Sequence, residues 1–249
     1  MHISLGCYGG GIKTEYITIQ ECKIPVVADV DVFIAGGGCA GVGAAIASGR
    51  SGLRSFLVER LFCLGGMMSA GLMSKIAIAP QNLGLATEII TRLDELQGTN
   101  YLASRPEVPI DPEAAKYVLD EMVIKESNVD VRFGTIISDV ISIDGEIRAA
   151  IIDSIEGKQA VKARFFIDCT GDGQLSFLAG AKPVDDVEYF ASSPSLLFRV
   201  GNCDFDKLCA FMIANKEIMQ PEYVTYKRHL MSPEQWRENI NTLKSQNLR

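Results

Sequence analysis

The sequence is poor in the side chains that most often carry acid–base or metal chemistry. His2 and His229 are the only histidines, and a lone histidine is more often a surface or core residue than a catalytic base. The seven cysteines include no C-x-x-C pair, a pattern that fits neither a zinc or iron–sulfur site nor a disulfide framework. We therefore expect reduced, mostly buried thiols and no metal centre.

Long apolar runs and basic clusters are missing as well. No apolar run reaches the ~20 residues of a membrane-spanning helix, and the first residues lack the basic start and apolar stretch of a secretory signal. The net charge is −7 and no cluster of Lys and Arg occurs, which argues against a nucleic-acid partner. These absences predict a cytoplasmic protein that binds neither a membrane nor a nucleic acid.

What the sequence does contain is a strand–glycine–helix pattern in residues 29–60. A short apolar run, residues 30–35, is followed by Gly36, Gly38 and Gly41 in G-x-G-x-x-G spacing. Such glycines allow a tight turn, a close approach of the backbone to a pyrophosphate, and close packing of the next helix. The free N–H groups at the start of that helix then face the phosphates.

The same pattern continues into a second strand and an acid. The apolar run at residues 55–58 ends at Glu59, about 20 residues after the glycines, where a carboxylate can accept hydrogen bonds from a ribose. A 2′-phosphate would be repelled there, so NADP is disfavoured. The pattern predicts a Rossmann-type site for either NAD or FAD, and an ordinary glycine turn is the alternative.

Two further stretches favour FAD over NAD. Directly after the acid, Gly65 and Gly66 precede Met67 and offer a second close backbone approach, which an extended FAD molecule needs. A glycine turn in a plain loop is the alternative there. Downstream, residues 164–168 form a predicted buried strand, followed by a glycine-rich turn and a helix that starts near residue 174. A strand, a turn and a helix in that order make a second edge that faces a ligand.

Between these motifs the sequence changes period. Residues 131–163 alternate with period two, and Asp144-Gly145 and Glu156-Gly157 are hairpin turns, which predicts an antiparallel meander. The remaining predicted elements are a leader strand within 1–28, helices at 83–97 and 112–126, a strand at 195–200, and helices at 205–215 and 233–244.

Four separated motifs together carry a resemblance: GGGCAGVGAA, LVER, LGGMMSAG and FFIDCTGDGQLSFLAGA. In this order they resemble the FAD-dependent oxidoreductases whose flavin domain is of the glutathione-reductase type. The resemblance spans residues 29–204 and implies FAD as the cofactor. Cys39 departs from the proline or serine often found at its place, which the backbone contact should tolerate.

The resemblance also implies which residues hold the cofactor. The loop residues would contact the pyrophosphate, Glu59 the adenosine ribose and Arg60 the adenine region. The strand near Thr135–Ile137 would offer its backbone to the adenine. The residues expected at the FAD site are Gly36, Gly38, Cys39, Ala40, Gly41, Glu59, Arg60, Gly65, Gly66, Met67, Ile137, Thr170, Gly171 and Asp172.

We therefore expect an α/β protein with a Rossmann-like, three-layer FAD-binding domain at residues 29–182. Its layers are a parallel sheet, helices and an antiparallel β-meander at about 131–163. Residues 1–28 are a leader, and residues 183–249 begin a smaller α+β substrate or interface domain. No later glycine turn leads into a flavin-closing helix, and the substrate domain is only begun. A second subunit that completes both, or a homo-oligomer, is the expected partner, and a truncated product with a half-built FAD site is the alternative.

The function predicted from the sequence is that of an FAD-binding oxidoreductase subunit. It would transfer a hydride between flavin and a small polar metabolite, and no catalytic residue can be assigned. One alternative is a subunit that holds flavin for structure or electron transfer without a substrate pocket. The other alternative is an NAD-binding dehydrogenase.

The first testable prediction concerns Glu59. Glu59→Arg should weaken FAD binding, because a ribose acceptor is replaced by a donor of the wrong charge. The loss of a charge-assisted hydrogen bond costs roughly 1.5–3 kcal/mol, which is about tenfold to hundredfold in affinity. Fluorescence titration with FAD measures the change, and Glu156→Arg, in the predicted hairpin turn, is the control. An unchanged affinity would remove Glu59 from the site.

Overall fold

The structure is a computed structural model that describes residues 23–77, 84–99, 107–182 and 196–214. The chain divides into two compact units, residues 1–195 and 196–249. Most of the expected leader segment, and the helix expected at 233–244, lie outside the described residues.

The first unit alternates strands and helices before it ends in a run of strands. Its strands are β1 (Val26–Ala35), β2 (Ser55–Val58), β3 (Lys75–Ala77), β4 (Glu107–Pro109), β5 (Val129–Arg132), β6 (Ile136–Ile143), β7 (Glu146–Ser154) and β8 (Gly157–Asp168). Its helices are α1 (Cys39–Arg50), α2 (Leu85–Glu95), α3 (Pro112–Ile124) and α4 (Gln174–Leu178), with a 3₁₀ turn at Gly66–Met68. Pro112 opens α3, and the carboxylate of Asp111 caps it by accepting the N–H of Glu113 at 2.7 Å, as the sequence predicts.

Six strands form one twisted sheet in the order β5-β2-β1-β8-β7-β6. The pairs β5/β2, β2/β1 and β1/β8 are parallel, whereas β8/β7 and β7/β6 are antiparallel. The parallel part is the Rossmann-like sheet and the antiparallel part is the meander. The predicted α/β fold class is confirmed.

Strand β8 belongs to both parts of the sheet. The sequence analysis predicts a meander strand at 159–163 and a separate core strand at 164–168, but the structure has one strand, Gly157–Asp168. Its first half pairs with β7 as far as Lys162, and residues 160–168 pair with β1. The prediction of two strands was wrong because no glycine or proline interrupts residues 158–168, so nothing in the backbone ends the strand.

The sheet separates two apolar cores. On one face, side chains of β1 and β2 pack against α1, α2 and α3. On the other face, the neighbouring side chains of the same strands pack against β6, β7 and α4. The largest fully buried side chains of β1 and β2 are Phe33, Ile34 and Leu57. Residues that alternate along a strand therefore serve opposite cores, which gives the expected three layers.

In the second unit the described residues form one helix, α5 (Phe205–Ala214), where the sequence predicts a helix. The strand predicted at 195–200 is wrong for its described part, since residues 196–200 are in no strand. A strand needs a hydrogen-bonded neighbour, and no described strand pairs with this segment. The alternation of apolar residues favoured a strand here, but it carried no information about a neighbouring strand.

A matched pair of glycines on α1 tests how closely the helix packs on the sheet. A Cβ on Gly41 would lie 1.8 Å from the carbonyl oxygen of Gly36, whereas a Cβ on Gly43 would meet no atom within 4 Å. We expect Gly41→Ala to destabilise the fold by about 3 kcal/mol, at the upper end of overpacking costs. Gly43→Ala should be neutral or stabilising, since alanine favours a helix interior over glycine. Urea unfolding measures both variants, and equal stabilities would contradict the packing described.

Candidate cofactor-binding site

A cleft of about 1050 Å³ lies where β1, β2 and β8 end. In open α/β sheets ligands bind at the carboxyl ends of the parallel strands, and this cleft occupies that edge. It brings together segments that are far apart in the sequence. The residues expected at the site that line the cleft are Gly36, Gly38, Cys39, Ala40, Glu59, Arg60, Gly66, Met67, Ile137, Thr170, Gly171 and Asp172.

Two of the expected residues, Gly41 and Gly65, do not line the cleft but stand behind it. Gly41 is buried where α1 touches the turn after β1. The N–H of Gly65 donates to the carbonyl oxygen of Gly37 at 2.8 Å, and a Cβ on Gly65 would meet Leu119 at 2.7 Å. Both glycines therefore allow close packing that holds the lining residues in place.

The carboxylate of Glu59 organises the glycine loop from within. Its Oε2 accepts the N–H of Gly37 at 2.6 Å, and its Oε1 accepts the N–H of Leu61 at 2.8 Å. Glu59 is 6% exposed and still lines the cleft. Each carboxylate oxygen accepts more than one hydrogen bond, so acceptor capacity toward the cleft is left over. The acid is thus a structural part of the loop as well as a candidate ligand contact.

The start of α1 faces the cleft without a side chain in the way. Gly38 is the N-cap residue, in an extended conformation, and no side chain caps the helix. A Cβ on Gly38 would meet no atom within 4 Å, so the glycine is not required by the protein's own packing. The uncapped N–H groups and the positive end of the helix dipole make this end suited to an anion.

The loop after Glu59 is held against the glycine loop by backbone contacts. Gly66 has a φ of +54°, which favours glycine, and a Cβ there would lie 3.1 Å from the Cα of Gly38. From α3, the Asp120 carboxylate accepts the N–H of Leu64 at 3.2 Å, and burial raises the pKa of Asp120. Met67 is 65% exposed and lines the cleft next to Gly66.

On the β8 side of the cleft, the carboxylate of Asp168 holds the turn that follows β8 through hydrogen bonds. Its Oδ1 accepts the N–H of Thr170 at 3.1 Å and the hydroxyl of Thr170 at 2.7 Å. Its Oδ2 accepts the N–H of Ser176 at 2.8 Å and the hydroxyl of Ser176 at 2.7 Å. Burial would raise the pKa of Asp168, but the hydrogen bonds from Ser176 and Thr170 outweigh it and hold the pKa below its ordinary value.

The sequence-based list missed several lining residues, including Asp168, Thr135, Gln174, Ser176, Ala70 and Gly71. Asp168 and Gln174 flank the predicted turn, so extending the motif by a few residues on each side would have found them. Thr135 belongs to the segment Thr135–Ile137 that the resemblance assigns to the adenine, but it was not among the expected site residues. It lines the cleft because its N–H donates to the carbonyl oxygen of Glu59 at 3.0 Å, a long-range pairing.

The thiols of the cleft are not poised as nucleophiles. Cys39, Cys63, Cys169 and Cys203 are all free, but Cys39 and Cys203 are exposed, so the expectation of mostly buried thiols is wrong for these four. The Cys39 sulfur lies 3.4 Å from the carbonyl oxygen of Gly65, and its partial desolvation raises the pKa. Burial and the neighbouring Asp168 raise the pKa of Cys169 as well.

Metal ligands and membrane-spanning helices are not found in the part of the chain that the structure describes. No group of His, Cys, Asp and Glu side chains there could hold a metal ion. No helix there is long and apolar enough to cross a membrane. His2 and His229 lie outside the described residues.

The glycine turn, the buried acid and the parallel sheet define a dinucleotide-binding domain of the Rossmann type. The sequence matches the family model of FAD-dependent oxidoreductases over residues 31–248. The chain therefore belongs to the FAD-dependent oxidoreductase family, and FAD is its cofactor. No protein of curated function matches the sequence.

Several solved structures are similar to parts of the chain. The structure of THI4 from Thermovibrio ammonificans is 25% identical, with a TM-score of 0.47, over 60% of this chain and 61% of that one. A geranylgeranyl bacteriochlorophyll reductase-like protein from Thermoplasma acidophilum is 17% identical, with a TM-score of 0.47, over 62% and 43%. The p-nitrophenol 4-monooxygenase PnpA from Pseudomonas putida is 16% identical, with a TM-score of 0.45, over 58% and 42%. The chain thus spans less than two thirds of each of these proteins.

The cleft fits a dinucleotide on its own geometry. Its volume lies just above the ~300–1,000 Å³ of ordinary ligand pockets, and its lining joins a helix end suited to an anion to a carboxylate. At Gly38 the backbone leaves space that a side chain would fill. The described residues therefore suit a ligand with both a phosphate bridge and a ribose.

The hydrogen bonds of Asp168 make the stability of the domain depend on pH. An unfolded aspartate has a pKa of about 3.9, and the folded pKa is lower, so the carboxylate stabilises the fold above that value and less as the pH falls through the folded pKa. We expect Asp168→Asn to cost about 1–2 kcal/mol at neutral pH, since the group is only partly buried. The difference from the parent should shrink in acid. Urea unfolding at several pH values measures it, and a constant difference down to about pH 3 would contradict this role.

Proposed function

We propose that this chain is the FAD-binding part of an oxidoreductase that transfers a hydride between flavin and a substrate. The observation that carries the proposal is the cleft in which an uncapped helix end, the Glu59 carboxylate and the turn after β8 meet. The family membership supplies the cofactor. A small polar metabolite is the substrate that the sequence analysis favours, and it remains a prediction.

In this proposal each segment holds one part of FAD. The backbone at Gly38 and the first turn of α1 bind the pyrophosphate, and Glu59 accepts hydrogen bonds from the adenosine ribose. The segment at Gly66 and Met67 lies along the ribityl chain and the ring, and Thr170 begins the second turn that contacts the cofactor. The support for this division is that all of these residues line one cleft, at the carboxyl ends of the neighbouring strands β2, β1 and β8.

Bound FAD accepts or donates the hydride, so the protein's task is to bind, orient and exclude water. Four titratable groups of the described lining are already engaged or have raised pKa values, and the Asp172 carboxylate also lines the cleft. Asp168 accepts four hydrogen bonds, Glu59 accepts two, and the thiols of Cys39 and Cys169 have raised pKa values. We therefore keep a second candidate function, that of a subunit that holds flavin for electron transfer.

We further propose that the flavin domain is of the glutathione-reductase type. The support is the antiparallel meander that continues from β8 into β7 and β6, whose side chains pack in the core on the face of the sheet opposite α1. The alternative of an NAD-binding dehydrogenase is set aside, because the family that the chain belongs to uses FAD.

A second chain that covers part of this domain remains part of the proposal. The predicted strand at 195–200, one argument for it, is not formed at 196–200. Another argument comes from β8, whose residues beyond Lys162 pair with β1 alone among the described strands. Phe165 is 59% exposed there, and Ile167 is 37% exposed. An open strand edge with exposed apolar side chains is a surface that soluble proteins normally cover.

The purified protein tests the function directly. We expect the absorbance of bound flavin, and its bleaching under anaerobic conditions when the correct small reductant is added. Flavin that binds but is not bleached by any of a panel of metabolites would favour the electron-transfer candidate. A chain that takes up no flavin would contradict the proposal.

Gly38 gives the sharpest test of where the cofactor lies. Gly38→Ala should fold with a loss below about 1 kcal/mol, the range for changing an N-cap residue, because its Cβ meets no protein atom. The same methyl group would collide with the pyrophosphate, and such overpacking costs about 1–3 kcal/mol, or roughly tenfold to hundredfold in Kd. Titration with FAD measures the affinity, and Gly43→Ala, on the same helix but outside the cleft, is the control. A Gly38→Ala protein that binds FAD normally would place the pyrophosphate elsewhere.

A further inference from the structure

One side chain links two segments that line the cleft and pack against each other, the start of α4 and the start of β6. Gln174, the first residue of α4, donates through Nε2 to the carbonyl oxygen of Ile137 on β6 at 2.7 Å. Both residues line the cleft. The sequence separation is 37 residues, so the contact exists only through the fold.

Gln174 is held at its other end by the turn after β8. Its N–H donates to the hydroxyl oxygen of Thr170 at 2.8 Å, and that hydroxyl donates to Asp168 Oδ1 at 2.7 Å. A continuous chain of hydrogen bonds therefore runs from the end of β8 through Thr170 and Gln174 to β6. Fixing the backbone of Gln174 in this way limits the positions that its amide can reach.

The β6 end of this chain of hydrogen bonds adjoins the segment that carries Glu59. The N–H of Thr135, just before β6, donates to the carbonyl oxygen of Glu59 at 3.0 Å, and the N–H of Gly134 donates to that of Leu61 at 3.2 Å. The start of β6 is therefore tied to the segment that carries the Glu59 carboxylate. Ile137 follows two residues after Thr135, and its side chain is 3% exposed, so its backbone is well anchored.

We propose that Gln174 is a positioning residue that sets the adenosine end of the FAD site. It acts through the Ile137 carbonyl, holding the β6 edge at a fixed distance from the turn at Thr170. The inference rests on the proposed function, because it assigns the cleft to FAD. The expectation drawn from the sequence was that the backbone near Ile137 is open to the adenine. In the structure, the amide of Gln174 already occupies one acceptor position of the Ile137 carbonyl oxygen.

Fragments of the cofactor separate this role from a general structural one. ADP carries the adenosine and the pyrophosphate, whereas FMN carries the flavin ring and one phosphate. A residue that positions the adenosine end should affect ADP and FAD but leave FMN unchanged. A residue that only supports the whole domain should affect all three ligands or none.

The experiment compares Gln174→Met with the full-length parent. Methionine keeps the length of the side chain and removes the amide, so we expect the Kd values for ADP and FAD to rise about fivefold to tenfold, the effect of one lost hydrogen bond. The Kd for FMN should change by less than about twofold. Gln159→Met is the control, because Gln159 lies on β8 outside the cleft lining and its amide binds Glu156.

Each outcome decides between the two proposals. Unchanged ADP affinity, or an equal loss for ADP and FMN, would overturn the role of Gln174 while leaving FAD binding intact. A parent protein that binds neither FAD nor ADP would overturn the proposed function, and this inference with it. If Gln174→Met does not fold, Gln174→Ala is measured by the same titrations, with the same expected separation of ADP from FMN.

Discussion

The buried carboxylate of Glu59 is the interaction on which the arrangement of the site depends. It accepts N–H groups from Gly37 in the first loop and from Leu61 in the second, so both loops have one common centre. A buried carboxylate needs such partners, since leaving it without hydrogen bonds would be costly. Glu59, which was expected to contact a ligand, therefore also holds the loops around the ligand site.

Backbone hydrogen bonds join the other parts of the cleft to the two loops that Glu59 holds. Gly65 donates to Gly37 and brings the segment at Gly66 beside Gly38, while Thr135 donates to the Glu59 carbonyl and brings in β6. Backbone groups carry most of these contacts, so side chains along the loop can vary, provided that glycine stands where a Cβ would collide. This explains how Cys39 is accommodated at the start of α1.

The described part of the chain is thus a binding and orienting device. In the cleft the carboxylates of Glu59 and Asp168 hold turns, and partial burial raises the pKa of the Cys39 and Cys169 thiols. In the proposed function the chemistry of such a site comes from the cofactor. The exposed edge of β8 is one place where another segment or chain can add to this domain.

The amino-acid sequence determined the local parts of this protein. Four features depend on the conformations of only a few neighbouring residues, and each forms as predicted. They are the glycine spacing, the acid after β2, the capped start of α3 and the hairpin turn at Asp144-Gly145. The sequence did not reveal that β8 is one strand shared by two halves of the sheet, or that residues 196–200 pair with none of the strands that the structure describes. Pairing depends on which edges meet in space. The same reason applies to the link from Gln174 to Ile137 and to the double use of Glu59: both are contacts between distant segments, and only the tertiary structure decides which distant donors a side chain can reach.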